Sequence, residues 1–374
     1  MSADAVRSLA LHHVQVSPKT TWSFVELALA DGSTGWGECS LMRNPQALGT
    51  PAEAARQALV GAALDDVARF IATQGIAPQP QAAVASALEQ ATWDLRARRA
   101  GCSVARLHGA PVRASVPLYA NMNRRTLDRS PAGFFLSAQQ TLAAGYGTLK
   151  IAPFDDVTPD NAATPEGRRL TEAGLARVAA VRQAGGPGVQ LYVDCHWRFT
   201  AQTASVVLRE LADLGVVWFE CPLAETLAHM APLRRLRGQA NARGMRLAGL
   251  EELTHADAFA PWLDAGCYDV VMPDVKYAGG IGGVMRVADM AARSGTACAP
   301  HNPTGPVCHA ASLFACAMAP HMEMLEHQFD ETPAFWDIVE GDLPRPYNGI
   351  SRLPEGPGLG VALRPGVLAP QAAS

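Results

Sequence analysis

At 374 residues the chain exceeds one small domain and falls short of three, and its 48% hydrophobic content is enough to bury a large core. A formal net charge of −4 without a long basic run argues against nucleic acid or an acidic membrane surface as a partner. Met1-Ser2-Ala3-Asp4 opens no basic segment ahead of an apolar core, apolar runs are only strand-length, and eight cysteines avoid Cys-x-x-Cys spacing, so a reduced cytoplasmic protein without signal peptide or membrane span is expected.

Residues 6–38 alternate in the strand manner. Trp22, Phe24, Leu27 and Leu29 lead into Asp31-Gly32, a turn signal, and Thr34-Gly35-Trp36-Gly37-Glu38 follows, which predicts a hairpin. Helical patterns come next at 52–63, 65–71 and 82–99, the last with Val84, Leu88, Ala91 and Leu95 near 3.6 spacing. Strands followed by helices indicate an α+β unit over residues 1–113.

From Val116 the pattern changes. Strand-length apolar runs at 117–120, 148–152, 189–193, 216–219, 247–250, 270–272, 296–299 and 322–325 alternate with helix-length ones. Among the helices are 202–214, with Thr200 as N-cap, 256–265 and 284–293. Alternation across residues 114–340 implies a parallel sheet, and eight strands fit a closed TIM-type barrel better than an open sheet. Residues 153–171 are longer and more polar than an ordinary βα loop, so a lid or partial disorder is expected there. The turn-rich segment 341–374 leaves the barrel pattern.

Functional groups of such barrels sit at the C-terminal ends of the strands. Here six successive runs end in ionisable groups: Asp194, Glu220, Glu251, Asp274, His301 and Glu326. One charged residue after a strand is an ordinary solvated loop, but six at one end point to a site. Asp194, Glu220 and Glu251 would converge from adjacent strands, and three carboxylates held together repel unless a cation sits among them. Oxygen ligands favour Mg²⁺ first and Mn²⁺ next. Glu251 is chosen over Glu252 because it directly follows the apolar run.

Asp274 beside His301 would fix the imidazole tautomer and raise its basicity, making His301 a candidate general base. His196, two residues past Asp194, faces the same cavity or serves as a hydrogen-bond partner of Asp194. Lys150 at the second strand end can neutralise a substrate carboxylate, and Lys276 shares a face with Asp274 if the strand continues. Gly279-Gly280-Ile281-Gly282-Gly283 is a tight βα turn and not a nucleotide site.

The chain resembles the enolase superfamily, and within it the mandelate racemase subgroup. The resemblance rests on Gly35-Trp36-Gly37-Glu38, Val193-Asp194, Phe219-Glu220-Cys221-Pro222, Leu250-Glu251, Pro273-Asp274 with Gly279-Gly280, Pro300-His301-Asn302, Leu325-Glu326 and Pro357-Gly358-Leu359-Gly360. It implies a modified (β/α)₇β barrel under an N-terminal α+β capping domain that the C-terminal tail completes. It also implies Mg²⁺ on Asp194, Glu220 and Glu251, a His301–Asp274 dyad, and Glu326 as a carboxylate-side partner. The family's specificity loop would hold Lys19 and Trp22, and Arg43 would serve substrate binding with them.

Many racemases of the subgroup carry Lys-x-Lys where this chain has Lys150-Ile151-Ala152, so the second base is missing. The Asp194-x-His196 pattern instead resembles galactonate and mannonate dehydratases. The resemblance thus implies a homo-oligomeric, Mg²⁺-dependent dehydratase of sugar acids, with epimerisation or cycloisomerisation through the same enediolate as the alternative. A non-catalytic binding protein on a retained barrel is the third possibility.

Overall fold

The computed structural model describes residues 2–41 and 44–368. Strands β1 (Val6–Gln15), β2 (Thr21–Leu29) and β3 (Thr34–Glu38) form an antiparallel sheet. The expected hairpin is β2–β3, and β1 adds a third strand in register Val14↔Trp22. Helices α1 (Gly49–Leu59), α2 (Leu64–Gln74), α3 (Gln79–Arg99) and α4 (Val104–His108) follow. The sheet lies so close to α3 that a Cβ on Gly37 would stand 1.9 Å from the Ala87 carbonyl oxygen. Only glycine permits that approach, which accounts for Gly35 and Gly37 in the motif.

Eight parallel strands then appear among the described residues: β4 (Ser115–Asn121), β5 (Thr148–Ile151), β6 (Gln190–Asp194), β7 (Trp218–Glu220), β8 (Arg246–Gly249), β9 (Val270–Val271), β10 (Ala297–Cys298) and β11 (Leu325–Gln328). They run in sequence order from β4 to β10, with β11 beside β4. A parallel bridge between Cys298 and Met322, with Glu323 N–H donating to the Cys298 carbonyl at 3.0 Å, closes the ring. The principal connecting helices are α5 (Pro131–Ala143), α6 (Pro165–Gly185), α7 (Ala201–Asp213), α8 (Met230–Asn241), α9 (Ala260–Asp264), α10 (Gly280–Arg293) and α11 (Pro306–Met318). Thr200 caps α7, accepting from Thr203 N–H.

Along a strand, side chains alternate between the barrel interior and the surrounding helices. Tyr119, Tyr192, Trp218, Ala248, Val270, Met272 and Ala299 form one buried interior cluster, in which the Tyr192 and Trp218 rings stack at 4.4 Å. Two residues further on, the same inward face presents Asp194 and Glu220.

The segment 153–171 is neither a lid nor disordered. Helix α6 begins inside it, capped by Thr164, whose hydroxyl accepts from Gly167 N–H, with Pro165 in its first turn. The preceding loop is tied down by Arg129 and Arg177, both paired with Asp155. The tail returns to α3 and α4: Leu359 N–H donates to Asp94 at 2.7 Å, and Val104 N–H donates to the Gly358 carbonyl at 3.0 Å. All eight cysteines are free, and seven of them are buried. Among the described residues no helix is long and apolar enough to cross a membrane.

Candidate active site

The strand ends assemble a cluster of carboxylates around one lysine. Register pairs Asp194 with Glu220 and Lys150 with Tyr192. Lys150 is 1% exposed. Its ammonium donates to Glu220 Oε1, lies 3.0 Å from Glu326 Oε1, and stands 3.8 Å from Asp194 Oδ2. The second oxygen of Glu220 accepts from the Trp218 indole N–H at 2.7 Å. Glu326 is held on both oxygens as well, by Asn121 Nδ2 at 2.7 Å and by Asn302 N–H at 3.1 Å.

Beyond β6, β7 and β8 the backbone turns sharply. His196, Trp197, Cys221 and Leu250 have φ of 44°, 57°, 42° and 75°, a region that non-glycine residues adopt only when the surroundings hold them there. The turn after β6 folds His196 back onto Asp194, with Nε2 at 2.8 Å from Oδ2 and the His196 N–H donating to Oδ1 at 2.8 Å. The turn after β8 brings Glu251 inward, 4% exposed.

Asp274 and His301 follow β9 and β10 and are joined by a parallel bridge. Asp274 Oδ2 lies 2.8 Å from His301 Nδ1 and also accepts from the Lys276 ammonium. His301 Nε2 is thereby directed at the carboxylates, 3.5 Å from Glu251 Oε2 and 3.9 Å from Glu326 Oε2.

Proton affinities follow from these surroundings. Burial, with repulsion from Asp194 and Glu326, pushes Glu220 up to about 7 against the pull of Lys150. Burial and the charges of Asp194 and Glu220 push Glu251 well above the carboxylate range. Burial acts the same way on Asp194, but His196 and Lys150 overcome it and hold Asp194 low. Burial also opposes charge on His196, and the Asp194 carboxylate outweighs it, raising His196 above its ordinary value. Asp274 is held low by Lys276 and His301 despite its burial.

A cavity of about 510 Å³ opens above this cluster between the barrel and the first sheet's loops. Asp194, His196, Glu251, Lys276 and His301 line it, while Lys150, Glu220, Asp274 and Glu326 stand behind that wall. Exposed Lys19 reaches the cavity as expected. Trp22 does not: it is 1% exposed and packs edge-on against Phe335 at 6.1 Å, on the core face of β2. Arg43 lies outside the described residues. Both Glu251 and Glu252 touch the cavity, Glu251 buried among the acids and Glu252 exposed at the rim.

Sequence reasoning missed Asn121, Asn123 and Arg124, which line the cavity from the end of β4 and the turn after it. It also missed Glu331, whose oxygens take the Thr20 hydroxyl at 2.6 Å and Arg124 at 3.0 Å. The signal available was position: residues 121–124 occupy the same strand end as the acids on neighbouring strands.

The residues fit a divalent cation. Glu251 Oε2 is buried without a hydrogen-bond partner, and such an atom is costly unless a cation completes it. Asp194, His196 and Glu251 each offer one ligand atom, all within 4.8 Å of one another. Asp194 and Glu251 belong to the trio read from the sequence; Glu220 stands beside Asp194, its two oxygens engaged by the Lys150 ammonium and the Trp218 indole.

Residues 4–109 match the family described as "Mandelate racemase / muconate lactonizing enzyme, N-terminal domain", and residues 136–367 match "Enolase C-terminal domain-like". The chain is 32% identical to D-gluconate dehydratase of Thermoproteus tenax over 76% of its own length and 55% of that protein, so it spans about half of that relative. It is 29% identical to D-galactonate dehydratase of Variovorax paradoxus (94% and 90% covered) and 28% identical to D-galactarolactone cycloisomerase of Agrobacterium fabrum (97% of both). A mandelate racemase/muconate lactonizing enzyme structure from Jannaschia sp. CCS1 superposes with a TM-score of 0.85 at 24% identity, covering 97% and 96% of the two chains, and shares the fold. Since matched segments account for most of the sequence and the barrel carries its acids at the expected strand ends, the chain belongs to the mandelate racemase/muconate lactonizing enzyme family of the enolase superfamily.

Proposed function

We propose that the protein is a Mg²⁺-dependent dehydratase of sugar acids. One observation carries this reading: two imidazoles, each fixed by its own carboxylate, border one carboxylate cluster in one cavity. Eliminating water needs a base for the proton next to the carboxylate and an acid for the departing hydroxyl. His301, oriented by Asp274, takes the α-proton on Nε2. His196 gives a proton to the β-hydroxyl, which leaves as water. The resulting enol tautomerises to a 2-keto-3-deoxy acid. Asp194, Glu251 and Glu220 would hold the cation, which would supply positive charge to the substrate carboxylate. Lys150 adds positive charge behind the same end of the cavity, with Glu326 as its partner. Lys19, Lys276, Asn123 and Arg124 hold the hydroxylated chain.

The related dehydratases support this reading, and the cycloisomerase relative, covered end to end, supports a second one. In it His301 removes the same proton and Lys276 returns one, without loss of water. A screen of mono- and dicarboxylic sugar acids with Mg²⁺, read by semicarbazide trapping of 2-keto acids, separates the two. A trapped 2-keto acid is expected. Exchange of the α-proton into D₂O without a 2-keto acid overturns dehydration in favour of the second reading. His196→Asn and His301→Asn should each lower turnover by about 10²–10⁴-fold. Dehydration by His196→Asn at the parental rate removes the acid role.

A further inference from the structure

The chemistry above leaves the acid nearest the β6 and β8 exits, Glu225, without a task. Glu225 lies in the turn after β7 and does not line the cavity. Its Oε1 accepts Leu250 N–H at 2.7 Å and the Tyr268 hydroxyl at 2.8 Å and lies 4.0 Å from the Cys221 thiol, and the Cys221 carbonyl accepts Trp197 N–H at 2.6 Å. Leu250 immediately precedes Glu251, and Trp197 immediately follows His196. Both are bulky residues at positive φ, 75° and 57°, so neither exit is a conformation the local chain prefers. Space is reserved for this contact. A Cβ on Gly249 would stand 2.4 Å from Glu225 Oε1 and 2.7 Å from the Tyr268 ring.

We propose that Glu225 is a positioning residue that pins the exits of β6 and β8 together, so that His196 and Glu251 meet at Asp194. Three donors converge on one carboxylate oxygen, one from the β8 exit, one from Tyr268 and one from Cys221 at the β7 exit, which in turn holds the β6 exit through Trp197 N–H. Removing the acceptor frees both loops at once, although they are far apart in sequence. The consequence for the cation rests on the reading above; the pinning of the loops does not.

The test is amide hydrogen exchange on the full-length protein. In Glu225→Gln one acceptor oxygen becomes a donor, and peptides spanning 195–198 and 249–252 should both exchange about tenfold faster, with α7 unchanged. Gly249→Ala forces the Glu225 carboxylate aside. It should speed exchange at 195–198 too, a loop in which no residue is among the nearest contacts of a Cβ at that position. Mg²⁺ affinity by calorimetry should fall about 10- to 100-fold in Glu225→Gln, a loss that a merely structural role would not produce at unchanged melting temperature. Parental exchange at 195–198 in whichever variant folds overturns the proposal. Absence of Mg²⁺ binding by the parent overturns the metal reading and leaves the exchange result to decide this one.

Discussion

Two groups of buried acids divide this molecule, and their surroundings are opposite. Where the first sheet and α3 meet the barrel, each acid is met by backbone N–H groups. Glu38 accepts from Gly305 and Cys308 at 2.9 Å each, at the start of α11. Glu89 accepts from Ile281 and Gly282 at the start of α10, and Asp94 from Trp36 and Leu359. Helix starts offer unpaired N–H groups and a positive dipole end that favour the carboxylates of Glu38 and Glu89, although burial outweighs them and raises both, Glu89 to about 7. At the barrel's strand ends, Asp194, Glu220 and Glu326 surround one ammonium, and Glu251 beside them keeps an oxygen with no hydrogen-bond partner. Burial alone therefore does not mark a functional acid. An acid among like charges with a donor missing does.

The sharpest break between the groups is Glu251→Gln against Glu38→Gln. The cavity variant should lose more Mg²⁺ affinity than the about 10–100-fold that outer partners of a metal site carry. Without divalent ions it should keep or raise its melting temperature, because a carboxyl crowded by Asp194 and Glu220 is gone. The interface variant should bind Mg²⁺ as the parent does. Equal affinities in calorimetry would erase the distinction. Removing divalent ions with a chelator should likewise lower the parental melting temperature and leave Glu251→Gln unmoved; at 100 Kd of ion the stabilisation is about 2.7 kcal/mol.

The reverse break comes from truncating an interface acid. Glu38→Ala leaves Gly305 and Cys308 N–H groups buried without an acceptor, each costing about 1–3 kcal/mol, so a loss near ~4 kcal/mol is expected in urea unfolding. A loss below ~1 kcal/mol would mean that Glu38 does not join the two parts.

How far these groups could be read beforehand follows from the same contrast. Asp194 and Glu220 were legible because an apolar run ending in an acid locates a strand end without any knowledge of distant contacts. Glu38 was visible only within Gly35-Trp36-Gly37-Glu38, because its partner Gly305 lies 267 residues away. Trp22 was misplaced because an aromatic on a strand looks alike whether it faces core or cavity, and Phe335 decides it. Thr164-Pro165 is a good helix start, but the polar run around it masked α6. Lys150 was read as a substrate contact, since nothing local shows that two glutamates enclose it.

Histidines divide in the same way, and pH tests it. His196 and His301 border the cavity, whereas His327 is 4% exposed, bonded through Nδ1 to the Tyr146 hydroxyl at 2.7 Å, and beside the His309 ring at 5.0 Å. Burial lowers His327 from 6.5 to about 4, with Glu326 opposing. The unfolded chain therefore takes the proton first. Stability from this group is complete above pH 6.5 and is lost as pH falls through about 4, by about 3 kcal/mol. Unfolding curves of His327→Gln should lack that share of the slope. An unchanged slope would place the acid sensitivity elsewhere.

The smallest expected effect lies at the rim, where the two parts of the chain meet over the cavity. Glu331 holds the Thr20 hydroxyl at 2.6 Å and Arg124 at 3.0 Å, and Thr332 donates to the Val16 carbonyl at 3.4 Å. This fastens the loop that presents Lys19. Thr20→Val removes one hydroxyl and keeps the shape, so about 1 kcal/mol of loop ordering is lost. If Lys19 binds substrate without entering the proton transfers, that loss falls on binding alone. KM should rise roughly fivefold with kcat unchanged, since interactions equal in ground and transition states govern KM. A fall in kcat with KM unchanged would instead place this loop in the chemical step, and Lys19 with it.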